Sequence, residues 1–156
     1  MKLGESISNR LQGLFIDGHW ITNTNYKELL SSIDMATAIQ KISNLNSIAE
    51  LTYHVNYYLN GLNNVFDGGA LEIQDKYSFD MTPVETEADW QTMVNDLISN
   101  AEQFIIHVSS MTDEQLNNPF VVEKYGTYLR NIEGVIEHAY YHLGQMVLIR
   151  KLIEHT

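Results

Sequence analysis

The chain of 156 residues has no cysteine. That absence removes disulfides, thiolate metal ligands and a cysteine nucleophile together, so any metal must be held by nitrogen and oxygen, and any thiolate must come from a diffusible molecule. Cations are scarce as well. Nine Lys and Arg stand against twenty Asp and Glu, giving a net charge of -11 and a pI near 4.8. Nucleic acid and anionic membrane surfaces are bound through clustered Lys and Arg, so this balance argues against both as partners. No apolar run approaches the ~18 residues needed to cross a bilayer, and the opening MKLGESISNR turns polar too soon to hold an apolar signal core. The expectation is a cytoplasmic protein. There is no strand pattern, internal repeat or low-complexity tract.

A hydrophobic share of 44% with 19% charged residues is ordinary for a globular protein, and the length is that of one domain able to bury a core without staples. Residues 1–156 are therefore read as a single domain.

The rest of the chain is organised around NIEGVIEHAYYHLGQMVLIR, residues 131–150. Ile132, Val135, Ile136, Leu143, Met146 and Ile149 recur at helical spacing. His138 and His142, four residues apart, fall on one face of that helix, about 5–6 Å apart at Cβ. The face also carries Gly134, Val135, Gln145 and Met146, so it looks inward. An isolated pair of this kind is readily explained as two core histidines, each donating to a backbone carbonyl. A third histidine, His54, lies in another amphipathic helix and shifts the balance toward a shared cation.

In chain order, Leu3, Ile7, Leu11, Leu14 and Phe15 mark a first helix that Asp17-Gly18 breaks. His19-Trp20 follows in a loop, where the aromatic is expected to pin the loop onto the core. A weakly patterned helical stretch covers about Asn25 to Ile39. A second strong helix opens at Ser47, where Ser47-Ile48-Ala49-Glu50 has the form of a capping box. Ile48, Leu51, Val55, Tyr58, Leu59, Leu62 and Phe66 line its apolar side, with His54 among them. Asp67-Gly68-Gly69 ends it. The connection to about Glu85 has no helical period and is too long for neighbouring antiparallel helices, but it suits a crossover from one end of a bundle to the other. Asp75, Lys76 and Tyr77 in that crossover are placed to close a pocket, although a solvated connector reads the same way. A third helix starts near Thr86, with Asp89 completing a second capping box, and continues through Trp90 to Val108. Its His107 has no pair and is assigned no chemistry. Thr112 caps a single turn, Asn117-Asn118-Pro119 interrupts the chain, and a fourth helix runs from about Tyr128 to Glu154. These features predict an all-α, four-helix bundle with a long crossover between the second and third helices.

SIAELTYHVNYYLNGL at 47–62 and IEGVIEHAYYHLGQMVLIRKL at 132–152 resemble the two signature helices of the DinB/YfiT-like superfamily, the DNA-damage-inducible four-helix bundles with a three-histidine metal site. EADWQTMVNDLISNAEQF is similar to the family's third helix. The resemblance implies an up-down-down-up topology. It also implies a metal held by His54, His138 and His142, with Gln145 closing an H-x-x-x-H-x-G-Q motif. Members range from thiol transferases and isomerases to proteins of no known activity, so the reaction stays open.

Three neutral imidazoles leave a divalent cation its double charge and an open position, as in catalytic zinc sites. Zinc or nickel suits such ligands. The ion would acidify a water for hydrolysis or ionise a low-molecular-weight thiol for transfer to an electrophile. His138 is followed by Ala139 where a zincin protease needs a glutamate base. Glu50 is explained by its cap, and Glu137 is offset to face away. Gln145 is the better candidate for orienting a ligand or substrate, with Tyr57, Tyr58 and Tyr141 offering hydroxyls nearby. One expectation is thus a metal-dependent enzyme acting on a small-molecule substrate. The alternative is a non-catalytic metal-containing bundle that binds a ligand or serves as a structural dimer. A homodimer is expected in either case, because family members commonly pair and the apolar helix surface exceeds what four helices need.

Overall fold

The computed structural model describes residues 1–156. The chain is all-helical and has no strands. An isolated antiparallel bridge between Pro119 and Thr127 is its only β-type pairing. Seven α-helices follow in order: α1 Leu3–Gln12, α2 Tyr26–Ser31, α3 Met35–Ile39, α4 Ile48–Phe66, α5 Glu87–Ser110, α6 Asp113–Asn117 and α7 Tyr128–Glu154. A π-helical turn, Gly13–Asp17, continues α1, and 3-10 turns occupy Asp75–Tyr77 and Glu123–Tyr125.

Local chemistry accounts for the boundaries. Ser47 Oγ accepts from the Glu50 amide at 3.1 Å while Glu50 Oε2 accepts from the Ser47 amide at 2.6 Å, so the reciprocal cap expected at the start of α4 is formed. Thr86 and Asp89 do the same for α5, and Thr112 and Gln115 for α6. Thr127 Oγ1 accepts from the Arg130 amide to open α7. Beyond α4, Gly68 takes φ +95°, the left-handed conformation that ends a helix at no steric cost to glycine.

The 32 buried apolar residues form one connected cluster, drawn from every α-helix, so the long helices share a core. Helix α4 packs against both α5 and α7, and α1 packs against α5. Buried polar groups tie these layers together. Tyr26 Oη donates to the Ala139 carbonyl of α7 at 2.5 Å, and Trp90 Nε1 donates to the Ile33 carbonyl at 2.7 Å. Asn63 Nδ2 donates to the Asn100 carbonyl at 2.8 Å, linking α4 to α5.

Two expectations change. The stretch from Asn25 to Ile39 is not one helix but two, α2 and α3, because Asp34 caps a new start by accepting from the Thr37 amide. Trp20 does not pin its loop: the residue is 94% exposed. Asn25 supplies the anchor instead. Its Nδ2 donates to the Gly18 carbonyl and its Oδ1 accepts from the Glu28 amide, while His19 pairs with Glu28. With both ends of the loop held by hydrogen bonds, the indole has no packing role there.

The connection between α4 and α5 spans residues 67–86, as its lack of period predicts. It is not a bare solvated connector. Tyr57 Oη donates to the Gln74 carbonyl and accepts from the Gln74 amide, and Tyr58 Oη donates to Asp75 Oδ1 at 2.8 Å. These bonds lay the loop across α4 at the level of His54.

Candidate metal centre

His54 comes from the buried side of α4, one helical turn beyond Glu50, and His138 and His142 come from successive turns of α7. Their position follows from the apolar periodicity: Leu51 and Val55 flank His54, and Val135, Ile136, Ala139 and Leu143 surround the α7 pair, all in the core. Packing α4 on α7 therefore brings the three rings together. Each offers a ring nitrogen, and all three nitrogens lie within 4.8 Å of one another.

The arrangement is directional. His54 Nε2 and His142 Nε2 each lie 3.0 Å from His138 Nε2. On their far sides, His54 Nδ1 donates to the Ser78 carbonyl at 3.3 Å and His142 Nδ1 donates to Gln145 Oε1 at 2.7 Å. A carbonyl oxygen can only accept, so both Nδ1 atoms carry the proton, and the Nε2 atoms of the neutral rings present bare lone pairs. Both lone pairs point at His138 Nε2, which carries at most one proton. At least one of the two 3.0 Å contacts then sets lone pair against lone pair.

Protonation does not relieve this near neutral pH. Burial disfavours the charged imidazolium at all three positions and lowers each pKa from the ordinary 6.5. For His138, burial and then repulsion from His142 and His54 take it to about 4. The cluster thus collects lone pairs and refuses protons, and a cation at their focus is the species that satisfies it. The two separations from His138 fit. Nitrogens at roughly 2.1 Å from a common ion stand about 3.0–3.4 Å apart for angles between right and tetrahedral, which matches the 3.0 Å contacts of His54 and His142 with His138, while the three ligand atoms as a set lie within 4.8 Å.

The walls are aromatic. Phe79 stacks on His54 with centroids 4.1 Å apart and planes 7° from parallel. Tyr58 meets both His54 and His138 edge-on at 5.2 Å. Burial first, and then its bond to Asp75, raise the Tyr58 pKa, so this hydroxyl is held protonated. Tyr141 packs edge-on against His142 at 4.9 Å but is 64% exposed.

Each site residue singled out in the sequence has a definite place. Gln145 touches His142 and fixes its ring. Glu50 is committed to the α4 cap and to Lys41. Glu137 points outward and pairs with Arg130 at 3.3 Å. Tyr57 is taken up by the crossover backbone. In that crossover Asp75 acts through Tyr58, whereas Lys76 and Tyr77 lie exposed. His107, on α5, stands apart from the cluster, with its Nε2 3.0 Å from Asp67 Oδ1. Sequence reasoning missed Ser78 and Phe79. A backbone carbonyl has no residue signature, and the one available signal was an aromatic in a loop otherwise without pattern.

The sequence matches the family model described as the DinB superfamily over residues 21–146. No curated protein and no solved structure matches the chain. No helix is long and apolar enough to cross a membrane.

Proposed function

Given that the chain belongs to the DinB superfamily, we propose that it is a metal-dependent enzyme acting on a small molecule, with His54, His138 and His142 holding one divalent ion, zinc or nickel. The observation that carries this reading is the convergence of His54 Nε2 and His142 Nε2 on His138 Nε2, with each Nδ1 locked by a carbonyl acceptor. A metal-binding histidine usually donates its other nitrogen in this way, which sets tautomer and ring orientation. When bound, such an ion supplies Lewis acidity at an open position, where a water or a small thiol loses its proton near neutral pH.

The chain's own residues do the rest. Ser78 and Gln145 keep two imidazoles facing the ion. Phe79 and Tyr58 exclude water from one side. Tyr58, held protonated, donates its one hydroxyl proton to Asp75 and keeps a neutral ring beside the ligands. The favoured reactions are transfer of a low-molecular-weight thiol to an electrophile and hydrolysis of a labile bond. The absence of cysteine requires that thiol to be diffusible.

The second reading is a non-catalytic metal-containing bundle serving as a ligand-binding or structural dimer. It draws on one observation: Glu50 and Glu137, the acidic residues nearest the histidines in sequence, are both engaged elsewhere, and the Asp75 carboxylate is taken up by the Tyr58 hydroxyl. Residues 1–156 are read as one domain whose long helices α1, α4, α5 and α7 form an up-down-down-up four-helix bundle with the 67–86 crossover in its middle. Self-association would draw on the exposed Tyr141, Leu148 and Leu152 of α7.

Elemental analysis of protein made without a histidine tag tests the metal. About one divalent ion per chain is expected, and full stoichiometry in the double variant His138→Ala, His142→Ala would reject the assignment. Cobalt substitution tests catalysis. An open position admits azide and thiols, which shift the visible spectrum and with thiols add a sulfur-to-metal charge-transfer band, whereas a spectrum indifferent to every added ligand favours the non-catalytic bundle.

A further inference from the structure

A cavity of about 480 Å³ opens beside the histidine cluster and reaches it at His138. This volume is in the range of small-molecule sites, roughly 300–1,000 Å³. Seven of its eleven lining residues are hydrophobic. Although the chain holds twenty Asp and Glu, none lines this cavity, and the one permanently charged lining side chain is Arg130. A single cation in an apolar cavity of a strongly acidic protein is a selective feature.

Its position is set by α7. Arg130, Gly134 and His138 are spaced i, i+4, i+8, and therefore form one row along the helix face. The Arg130 guanidinium folds along that row: its Nη1 lies 3.8 Å from where a Gly134 Cβ would stand. Gly134 leaves bare backbone between the guanidinium and the imidazole. Helical side chains lean toward the N-terminus, so His138 leans toward Gly134 as well. With ~5.4 Å per turn, the guanidinium and the metal-facing end of the row are separated by roughly 6–10 Å. Arg130 is now paired with Glu137 at 3.3 Å, but both side chains are more than half exposed, at 58% and 67%, so an incoming carboxylate displaces that partner at little cost. Lys124, lying over the Tyr125 ring at 4.9 Å, adds a second cation near the cavity wall.

From this juxtaposition we infer that the substrate is an apolar molecule bearing a carboxylate, which Arg130 binds while the body lies over Gly134 and the reacting end, roughly 6–10 Å away, meets the cluster at His138. The inference rests on the metal reading for its reacting end only. The guanidinium fork gives the carboxylate two parallel N–H donors and fixes its orientation, which a lysine would not do. Arg130 is a binding and positioning residue, and Gly134 is the space the body occupies.

Two probe pairs separate this inference from the metal reading. In cobalt-substituted protein, 6-mercaptohexanoate and 6-mercaptohexan-1-ol are titrated by the charge-transfer band. The carboxylate thiol should bind at least about tenfold more tightly, the scale of one charge-assisted hydrogen-bonded pair. Arg130→Gln should erase that preference while leaving cobalt content and affinity for the alcohol unchanged. Gly134→Leu, which fills the cavity, should weaken both thiols without loss of cobalt. In metal-free protein, calorimetry with octanoate and octan-1-ol should show the same dependence on Arg130. If cobalt binds and both thiols bind equally, or if Arg130→Gln keeps the preference, the inference is overturned and the metal reading stands. If cobalt does not bind, the metal reading fails, and the octanoate comparison alone decides for or against Arg130.

Discussion

Replacing Gln145 with leucine probes how far the metal site depends on a residue that would not touch the ion. Gln145 Oε1 accepts the His142 Nδ1 proton at 2.7 Å, and His142 is only 7% exposed. Leucine keeps a similar volume and removes the acceptor, so the Nδ1–H is left in a largely buried place without a partner. An unsatisfied buried donor costs about 1–3 kcal/mol. The ring can escape that cost by moving its proton to Nε2 or by rotating, and either change takes the lone pair off the focus shared with His138. Metal affinity is therefore expected to fall about 10–100-fold, the usual cost of losing a partner behind a histidine ligand and equal to roughly 1.4–2.7 kcal/mol. Gln145→Glu should do the opposite, because a carboxylate acceptor makes a bond about twice as strong and raises the basicity of the ring. The assay is competition for zinc against a chromophoric chelator of known affinity, run on the wild type and both variants. Affinities within twofold of one another across the series would refute the reasoning. They would return Gln145 to the role first read from its motif, that of orienting a substrate with metal content unchanged.

Three further outcomes follow from the same contacts. The metal-free protein should lose stability as pH falls from 7 to 5: folded His54, His138 and His142 bind protons less readily than their unfolded counterparts at 6.5, so the unfolded chain takes up more protons in this window. His138, at about 4, contributes a loss on the order of 2 kcal/mol by pH 5. Urea midpoints that coincide at the two pH values would contradict the sign. Gly4→Ala should destabilise despite the better helix former, because the added Cβ would stand 2.7 Å from the backbone oxygens of Val108 and Met111 and force α1 off α5. The expected cost is about 1–3 kcal/mol in chemical denaturation, and a stabilised variant would show that the two helices separate freely. Light scattering at tens of micromolar should report a dimer, and Leu148→Glu should shift it toward monomer. A wild-type monomer would remove the role given to the exposed α7 stripe.

The parts of the fold legible in the sequence were those encoded locally. Ser47 with Glu50, Thr86 with Asp89 and Thr112 with Gln115 each satisfy helix-end amides within four residues, so the starts of α4, α5 and α6 could be placed before any tertiary contact was known. The span of α7, Tyr128–Glu154, follows from the helical spacing of Ile132, Val135, Ile136, Leu143, Met146 and Ile149. Trp20, 94% exposed, departs from the expectation because burial of an aromatic is only a statistical tendency. What holds that loop is Asn25, whose two hydrogen bonds run to Gly18 and Glu28 and need no apolar contact. The break between α2 and α3 has a related cause: one aspartate, Asp34, outweighs a weak apolar period by offering the Thr37 amide an acceptor.

The histidine cluster shows the same division inside a single site. His138 and His142 are joined by helix geometry alone, and His54 by the apolar face it shares, so spacing was enough to predict that they meet. What turns the three rings into a focus lies elsewhere. Gln145 is local and carried a motif signal, but Ser78 is 24 residues from His54, contributes only its backbone oxygen, and sits in a segment with no period. The Arg130–Gly134–His138 row lies between these cases. Its i, i+4, i+8 spacing was present in the sequence from the start, yet such a spacing gains meaning only when the opposite wall is known to be apolar. That wall is built from Leu62, Leu71, Ile73 and Phe120, on α4, the crossover and the segment after α6. The long crossover thus supplies a carbonyl to one histidine, an aromatic lid to the cluster and two apolar residues to the neighbouring cavity. Residues 67–86 reach all three while passing from α4 to α5.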